Sequence, residues 1–260
     1  EFGGRARQFK EKGFTFDMGP SWYWMPDVFE KFFADFDKKS TDFYDLKKLN
    51  PAYYVYFGIN DFIAIPDELE KICKVFEKEE AGSSEKLLDF IKMAKDNYKI
   101  AVTDMLYKMP GLSPLELIST DTAKRVGYFF TNIKKLVHKR FKNPKLRSIL
   151  EFPVLFLGAE SSNTPAFYNF MNYADFGLGT WQPTNGFYDV VKAMISIGNS
   201  LGVKYYNNSN VTKIITEKSN AIGIEVDNKI IKSHYVLSGA DYNHTEKLLP
   251  KSLRQYSPNY

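Results

Sequence analysis

The sequence predicts a mixed α/β fold in which two strand-bearing ends flank a mainly helical insertion. Three observations predict it. Gly3-Gly4-Arg5 opens the chain as a turn, and residues 13–17 then alternate weakly until Gly19-Pro20 breaks them. From Pro66 onward helical spacing dominates to about residue 173. After Trp181 short runs rich in Val, Ile and Tyr recur between turn residues. Boundaries near residues 66 and 180 divide the chain into 1–65, 66–180 and 181–260.

Each element has its own local reason. Pro26-Asp27 opens a helix, because proline suits the first turn and an acid favours the amino end. Val28, Phe29, Phe32, Phe33 and Phe36 form its apolar stripe. Residues 52–58 and 61–65 read as a hairpin around Gly58-Ile59-Asn60-Asp61. Pro66-Asp67-Glu68 starts the next helix, and Gly82-Ser83-Ser84 separates it from a long helical stretch over 85–108. Ser113-Pro114-Leu115-Glu116 is a capping box with proline at the first helical position. Breaks follow at Pro110-Gly111, Asn143-Pro144, Pro153 and Thr164-Pro165.

Gln182-Pro183-Thr184-Asn185-Gly186 leads into a helix over 187–201 that Gly202 stops. Strands are expected at 203–206, 211–217, 222–226, 229–231 and 235–237. Turns at Ser219-Asn220 and Asp227-Asn228 punctuate the three central ones.

At 260 residues the chain is long enough for one large or two small domains. Its 22 Phe, 17 Tyr and 3 Trp suit either a Phe-rich core or a pocket for a long, flat, apolar ligand. The net charge of +4 is modest and no nucleic-acid-binding motif is present, so no nucleic-acid partner is expected. The single cysteine, Cys73, excludes an internal disulfide and reads as a buried thiol, compatible with a reducing cytoplasm. No secretory signal is visible, and no apolar run approaches the roughly 18–20 residues that span a bilayer. Lys134, Lys135, His138, Lys139, Arg140, Lys142, Lys145 and Arg147 interleave with Phe129, Phe130, Ile133, Leu136, Val137 and Phe141. That pattern is either a membrane-surface helix or a solvated basic face over the core.

Few residues carry chemistry on their own. Gly3 and Gly4 let a ligand approach the backbone, and Arg5 offers a rigid charged fork for phosphate. Asp17 is either an anchor for the turn that follows it or a catalytic acid. Glu116 has the same duality, cap or acid/base. His138, His234 and His244 show no metal spacing and no paired nucleophile, and no metal site is expected.

Gly-Gly-Arg-Ala-Arg, then Gly-Phe-Thr-Phe-Asp-Met-Gly-Pro-Ser-Trp at 13–22 and Met-Pro-Asp-Val-Phe-Glu at 25–30, resembles the bacterial-type phytoene desaturases. These sit within the carotenoid desaturases and flavin-containing amine oxidases. The resemblance implies an FAD/NAD(P)-binding Rossmann-like domain with a helical substrate- and membrane-binding insertion. That domain is incomplete, since the dinucleotide fingerprint and the carboxyl-terminal segment are absent. The chain is therefore expected to be a fragment, inactive alone. By the same resemblance Arg5, with Gly3 and Gly4, reaches the FAD pyrophosphate. Gly19, Pro20, Ser21 and Trp22 lie beside the isoalloxazine. Val211 offers its backbone to the adenine edge, and Ala240 and Asp241 step beneath the dinucleotide. Glu116 falls near an acidic position considered for proton handling.

Pro183-Thr184-Asn185-Gly186 departs from the family's two adjacent glycines, with Asn185 in the first place; asparagine tolerates positive φ. The implied activity is stepwise dehydrogenation of phytoene toward lycopene. The implied partners are a long apolar polyene and the inner face of the cell membrane, on the cytoplasmic side. Residues 163–168 and 173–181 resemble the desaturases more closely than the related carotenoid isomerases. A desaturase of a modified carotenoid is the nearest alternative. A non-catalytic lipid- or membrane-binding fragment, or a decayed homologue, is the alternative from another class.

Overall fold

A computed structural model describes residues 2–107 and 126–257. The Ser113–Glu116 capping box, and with it the candidate Glu116, lies outside the described residues. The chain divides into two units, Gly3–Gly198 and a smaller one made of the first two residues with Asn199 onward.

The larger unit begins with a hairpin, β1 (Arg7–Glu11) against β2 (Phe14–Met18). Lys12 and Gly13 connect them, both with positive φ (51° and 84°), the geometry that matches strand twist. Helix α1 (Pro26–Ala34) starts at proline as expected. β3 (Leu46–Lys48) pairs antiparallel with β6 (Trp181–Pro183), two short strands that local pattern does not reveal. β4 (Tyr53–Gly58) and β5 (Asp61–Ile65) form the expected hairpin.

Helices α2 (Leu69–Glu79) and α3 (Ser83–Tyr98) follow, and α3 widens into π-type turns over Lys99–Leu106. Then come α4 (Val126–Phe129), α5 (Ile133–Arg140) and α6 (Pro144–Glu151), with a 3₁₀ segment at Phe152–Leu157. Asn132 and Asn143 cap α5 and α6 by accepting the N–H of Lys135 and Lys145. α7 (Phe170–Phe176) and α8 (Tyr188–Ser200) complete the set.

The main core lies between the β4–β5 hairpin and helices α2, α3, α5, α6 and α7. Phe76, Phe90, Phe141 and Phe176 meet edge to face inside it. Truncating a fully buried ring such as Phe76 costs about 3–5 kcal/mol. A second core joins Tyr23, Phe33 and Tyr44 to Val190, Ala193 and Ile197 of α8. Cys73 is buried in the main core, as a small apolar side chain would be.

The smaller unit carries the β-meander β7 (Val211–Glu217), β8 (Asn220–Val226) and β9 (Lys229–Lys232), then α9 (Tyr242–Leu248). Asp227 and Asn228 both take positive φ, as their turn requires; at the other turn the positive φ falls on Lys218 and Ser219. Two expectations fail. Residues 203–206 and 235–237 are not strands, because among the described residues neither has a partner strand. β propensity without a ladder leaves main-chain groups unpaired, so it does not define a strand. Every described strand pair is antiparallel.

Candidate functional site

The glycine–arginine turn is built as its residue types require. Gly3 and Gly4 take φ of 97° and 53°, and the Ala6 N–H closes the turn on the Gly3 carbonyl at 2.8 Å. The Arg5 side chain is exposed and has no protein partner among the described residues. Gly19, at φ 133°, brings its bare Cα against the same segment: a Cβ there would lie 2.0 Å from the Arg5 carbonyl oxygen. The two halves of the motif therefore form one surface.

Asp17 has a structural partner. Its Oδ2 accepts the Phe187 N–H at 2.6 Å, tying β2 to the start of α8. Gly186 sits against that carboxylate at φ 97°, and a Cβ on it would meet Asp17 Oδ2 at 2.6 Å. Gly186 therefore carries the special conformation of this turn. Asn185 does not take positive φ; its Nδ2 donates to Asp189 Oδ2 at 3.1 Å instead. The missing first glycine leaves the turn intact.

Beyond the turn stands an aromatic wall. Trp22 stacks on Tyr53 with centroids 4.9 Å apart and planes 20° from parallel. Phe152 and Phe156 meet Trp22 at 5.9 and 5.8 Å, and Trp24 meets Phe156 at 5.0 Å. One cavity of about 610 Å³ lies on the turn side, lined by Gly19, Pro20, Ser21, Trp24 and Phe156 together with Trp22 and Phe152. Another of about 700 Å³ is bounded by the same Trp22 and Phe152 and by Tyr54, Tyr56, Leu155, Lys134, Glu151 and Glu160 among others. Each has the size of a small-molecule site.

Sequence reasoning missed what supports this wall. The Tyr53 hydroxyl donates to Asp175 Oδ2 at 2.5 Å. Thr180 Oγ1 lies 3.5 Å from Asp175 Oδ1 and accepts the Trp24 indole N–H at 2.7 Å. Asp175 is 3% exposed, and burial pushes its carboxyl up to about 7 against the pull of the Tyr53 and Thr180 hydroxyls. Burial, with Asp175 beside it, raises the Tyr53 phenol well above its ordinary range. An aspartate inside the apolar run Tyr173–Leu178 was the available signal.

Val211 opens β7, an edge strand of its sheet, so half of that strand's main-chain groups lack a ladder partner among the described residues. Ala240 is exposed, and Asp241 caps α9 by accepting the Asn243 N–H at 3.0 Å. These three residues lie in the smaller unit, and the glycine–arginine turn and the wall lie in the larger one. In the basic stretch Ile133, Leu136, Val137 and Phe141 are buried in the main core, whereas Phe130 is 86% exposed. No helix among the described residues is long and apolar enough to cross a membrane.

Residues 1–258 match the family described as flavin containing amine oxidoreductase. The chain belongs to that family. It is 35% identical over 263 residues to a carotenoid 3,4-desaturase of Haloarcula japonica, covering 100% of this chain and 53% of that protein. It is 28% identical over 268 residues to a 4,4'-diapophytoene desaturase (4,4'-diaponeurosporene-forming) of Staphylococcus haemolyticus, covering 99% of this chain and 53% of that one. The chain thus spans about half the length of the curated relatives it matches.

Among solved structures it is similar in fold to an oxidoreductase from Methanosarcina mazei. That match has a TM-score of 0.55 and 19% identity, covering 96% of this chain and 54% of the other. A putrescine oxidase redesigned in cofactor binding matches with a TM-score of 0.55 and 14% identity, over 97% and 54%. The fold is accordingly the mixed α/β fold of the FAD-dependent oxidoreductases, and the cofactor of the family is FAD.

The described residues fit that group. Two positive-φ glycines expose backbone next to an arginine fork that has no protein partner among the described residues, which suits a pyrophosphate.

Proposed function

We propose that the whole protein is an FAD-dependent carotenoid desaturase. The observation that carries this reading is the aromatic cavity built directly against the Gly19–Ser21 turn. An aromatic-lined cavity at that turn suits a long apolar substrate. FAD, when bound, supplies the hydride acceptor for dehydrogenating a carbon–carbon bond. This chain's own residues bind and orient. Arg5, with the Gly3 and Gly4 backbone, holds phosphate. Gly19, Pro20, Ser21 and Trp22 shape the edge of the reacting site. The rings of Trp22, Trp24, Phe152 and Phe156 orient an apolar chain and keep water away from it.

Within this class, phytoene dehydrogenated toward lycopene is one substrate assignment. The higher identity to a carotenoid 3,4-desaturase supports an already modified carotenoid as the other. Docking at the cytoplasmic face of the cell membrane belongs to the same proposal. Leu155, Phe156 and Leu157 are 61%, 55% and 44% exposed. A run of exposed apolar side chains suits a bilayer surface.

The test is product analysis after expressing the complete gene in a phytoene-making host and in a lycopene-making host. New, longer-wavelength carotenoids are expected in one of them, and which one assigns the substrate. Unchanged carotenoids in both, with the flavin-loaded protein present, would overturn the proposal.

A further inference from the structure

We infer that Trp22 is a partition that sets how far an elongated apolar chain reaches past the Gly19–Ser21 turn, held in place by Asp175 as a positioning residue. The inference rests on the polyene reading above and adds a length-selecting device to it.

Among the described residues Trp22 and Phe152 line both cavities. The cavity on the turn side is bounded by Gly19, Pro20 and Ser21; the other is lined by Tyr54, Tyr56, Phe57 and Leu155 on its apolar part and by Lys134, Glu151 and Glu160 on its polar part. This pair of rings is the wall that the two cavities share. The pair is not free to swing. Trp22 lies flat on Tyr53, and Phe152 packs on Trp22, Tyr53 and Phe156, its centroid 6.1 Å from Tyr53 and 5.2 Å from Phe156.

Tyr53 is fixed in turn by its hydroxyl, which donates to the buried Asp175. Turning the Tyr53 ring away would strand both polar groups inside the core, a cost that locks the stack. Through Thr180 the same carboxyl reaches the Trp24 indole, so one buried acid supports both tryptophans. The position of the partition fixes how much chain fits between it and the turn, and so which bond of the chain lies at the turn.

The experiment uses the full-length, FAD-loaded protein and two detergent-solubilised probes, a triterpenoid polyene and a longer tetraterpenoid one. Their dissociation constants are measured for wild type, Trp22→Ala, Trp22→Leu, Trp22→Phe, Tyr53→Phe and Asp175→Asn. The ratio of the two constants is the readout, because general destabilisation weakens both probes alike. Trp22→Ala is expected to shift the ratio about tenfold toward the longer chain. Trp22→Leu tests the same point with a bulkier side chain if the alanine variant does not fold, and Trp22→Phe is expected to stay near wild type. Tyr53→Phe and Asp175→Asn are expected to shift the ratio in the same direction by a smaller factor.

An unmoved ratio in folded Trp22→Ala or Trp22→Leu overturns the partition while leaving the polyene reading intact. A ratio that moves for Trp22 but not for Asp175→Asn removes Asp175 from the device. Failure of wild type to bind either probe overturns both this inference and the proposed function.

Discussion

The Cα of Gly19 lies so close to the carbonyl of Arg5 that a methyl group on it would sit 2.0 Å from that oxygen. No rearrangement of a flexible side chain relieves this contact, since the atom it meets is backbone. Gly19→Ala in the full-length protein is expected to push the two motif segments apart. It should cost about 1–3 kcal/mol of stability through strain and lower the bound FAD per protein several-fold. Flavin absorbance against protein concentration is the measurement; a wild-type ratio with a wild-type melting temperature would refute the close-approach role.

Arg5 offers the complementary case. Its side chain is exposed, so Arg5→Ala should leave the thermal stability of the FAD-free protein within about 0.5 kcal/mol of wild type. FAD affinity should fall by roughly tenfold or more, the worth of a charge-assisted contact to phosphate. Arg5→Lys should recover part of it, because lysine keeps the charge and loses the fork. Equal FAD affinity in all three proteins would show that Arg5 is a bystander.

Asp17 behaves as an anchor. Its carboxylate accepts the Phe187 N–H, so Asp17→Ala should cost about 1–3 kcal/mol by orphaning that donor. The shape of the pH–rate profile of the full-length enzyme should not change. Loss of one limb of that profile, with stability preserved, would return Asp17 to the role of catalytic acid.

Asp175 gives a pH dependence of definite sign. Its carboxyl moves from 3.8 to about 7 on folding, so the folded state holds an extra proton between those values. The contribution to stability is complete below 3.8 and is lost as pH rises toward about 7. Asp175→Asn lacks that slope. Urea unfolding at about pH 5 and about pH 8 should therefore show wild type losing a few kcal/mol relative to the variant at the higher pH. A difference independent of pH would mean that Asp175 is ionised throughout.

Glu80 has the opposite sign. Burial raises its carboxyl, but Lys86 and the N–H groups of Asn143 and Lys142 outweigh this and hold it down to about 2. Its stabilisation is present above 4.5 and is lost as pH falls through about 2. It ties the end of α2 to the start of α6, so Glu80→Gln should unfold at a higher pH on acid titration. Coincident acid-unfolding curves followed by circular dichroism would contradict this.

What the sequence made legible follows from how local each feature is. Pro26 starting α1, the hairpin at 53–65 and the turn at Asp227-Asn228 depend on residues a few positions apart. The β3–β6 pair was not legible, because three-residue strands from distant parts of the chain carry no period. Residues 203–206 and 235–237 misled for the converse reason: their composition suits a strand, but a strand exists only beside a partner. The basic stretch at 134–147 had two readings with one pattern, and the packing of Ile133, Val137 and Phe141 into the core was not visible in that pattern.

By itself the sequence determined the glycines. Gly3, Gly4, Gly19 and Gly186 sit where positive φ or a close backbone approach excludes a side chain, and that demand is written in the residue type. The resemblance to the family rested on Gly3, Gly4 and Gly19 with the residues around them. The tertiary structure alone decided what the polar and aromatic residues meet. Asp17 finds the Phe187 N–H, Asp175 finds Tyr53 across the core, and Trp22 comes to stand between two cavities. A backbone requirement is local and survives in one dimension. A partner for a side chain is chosen by packing, and packing joins residues that the chain keeps far apart.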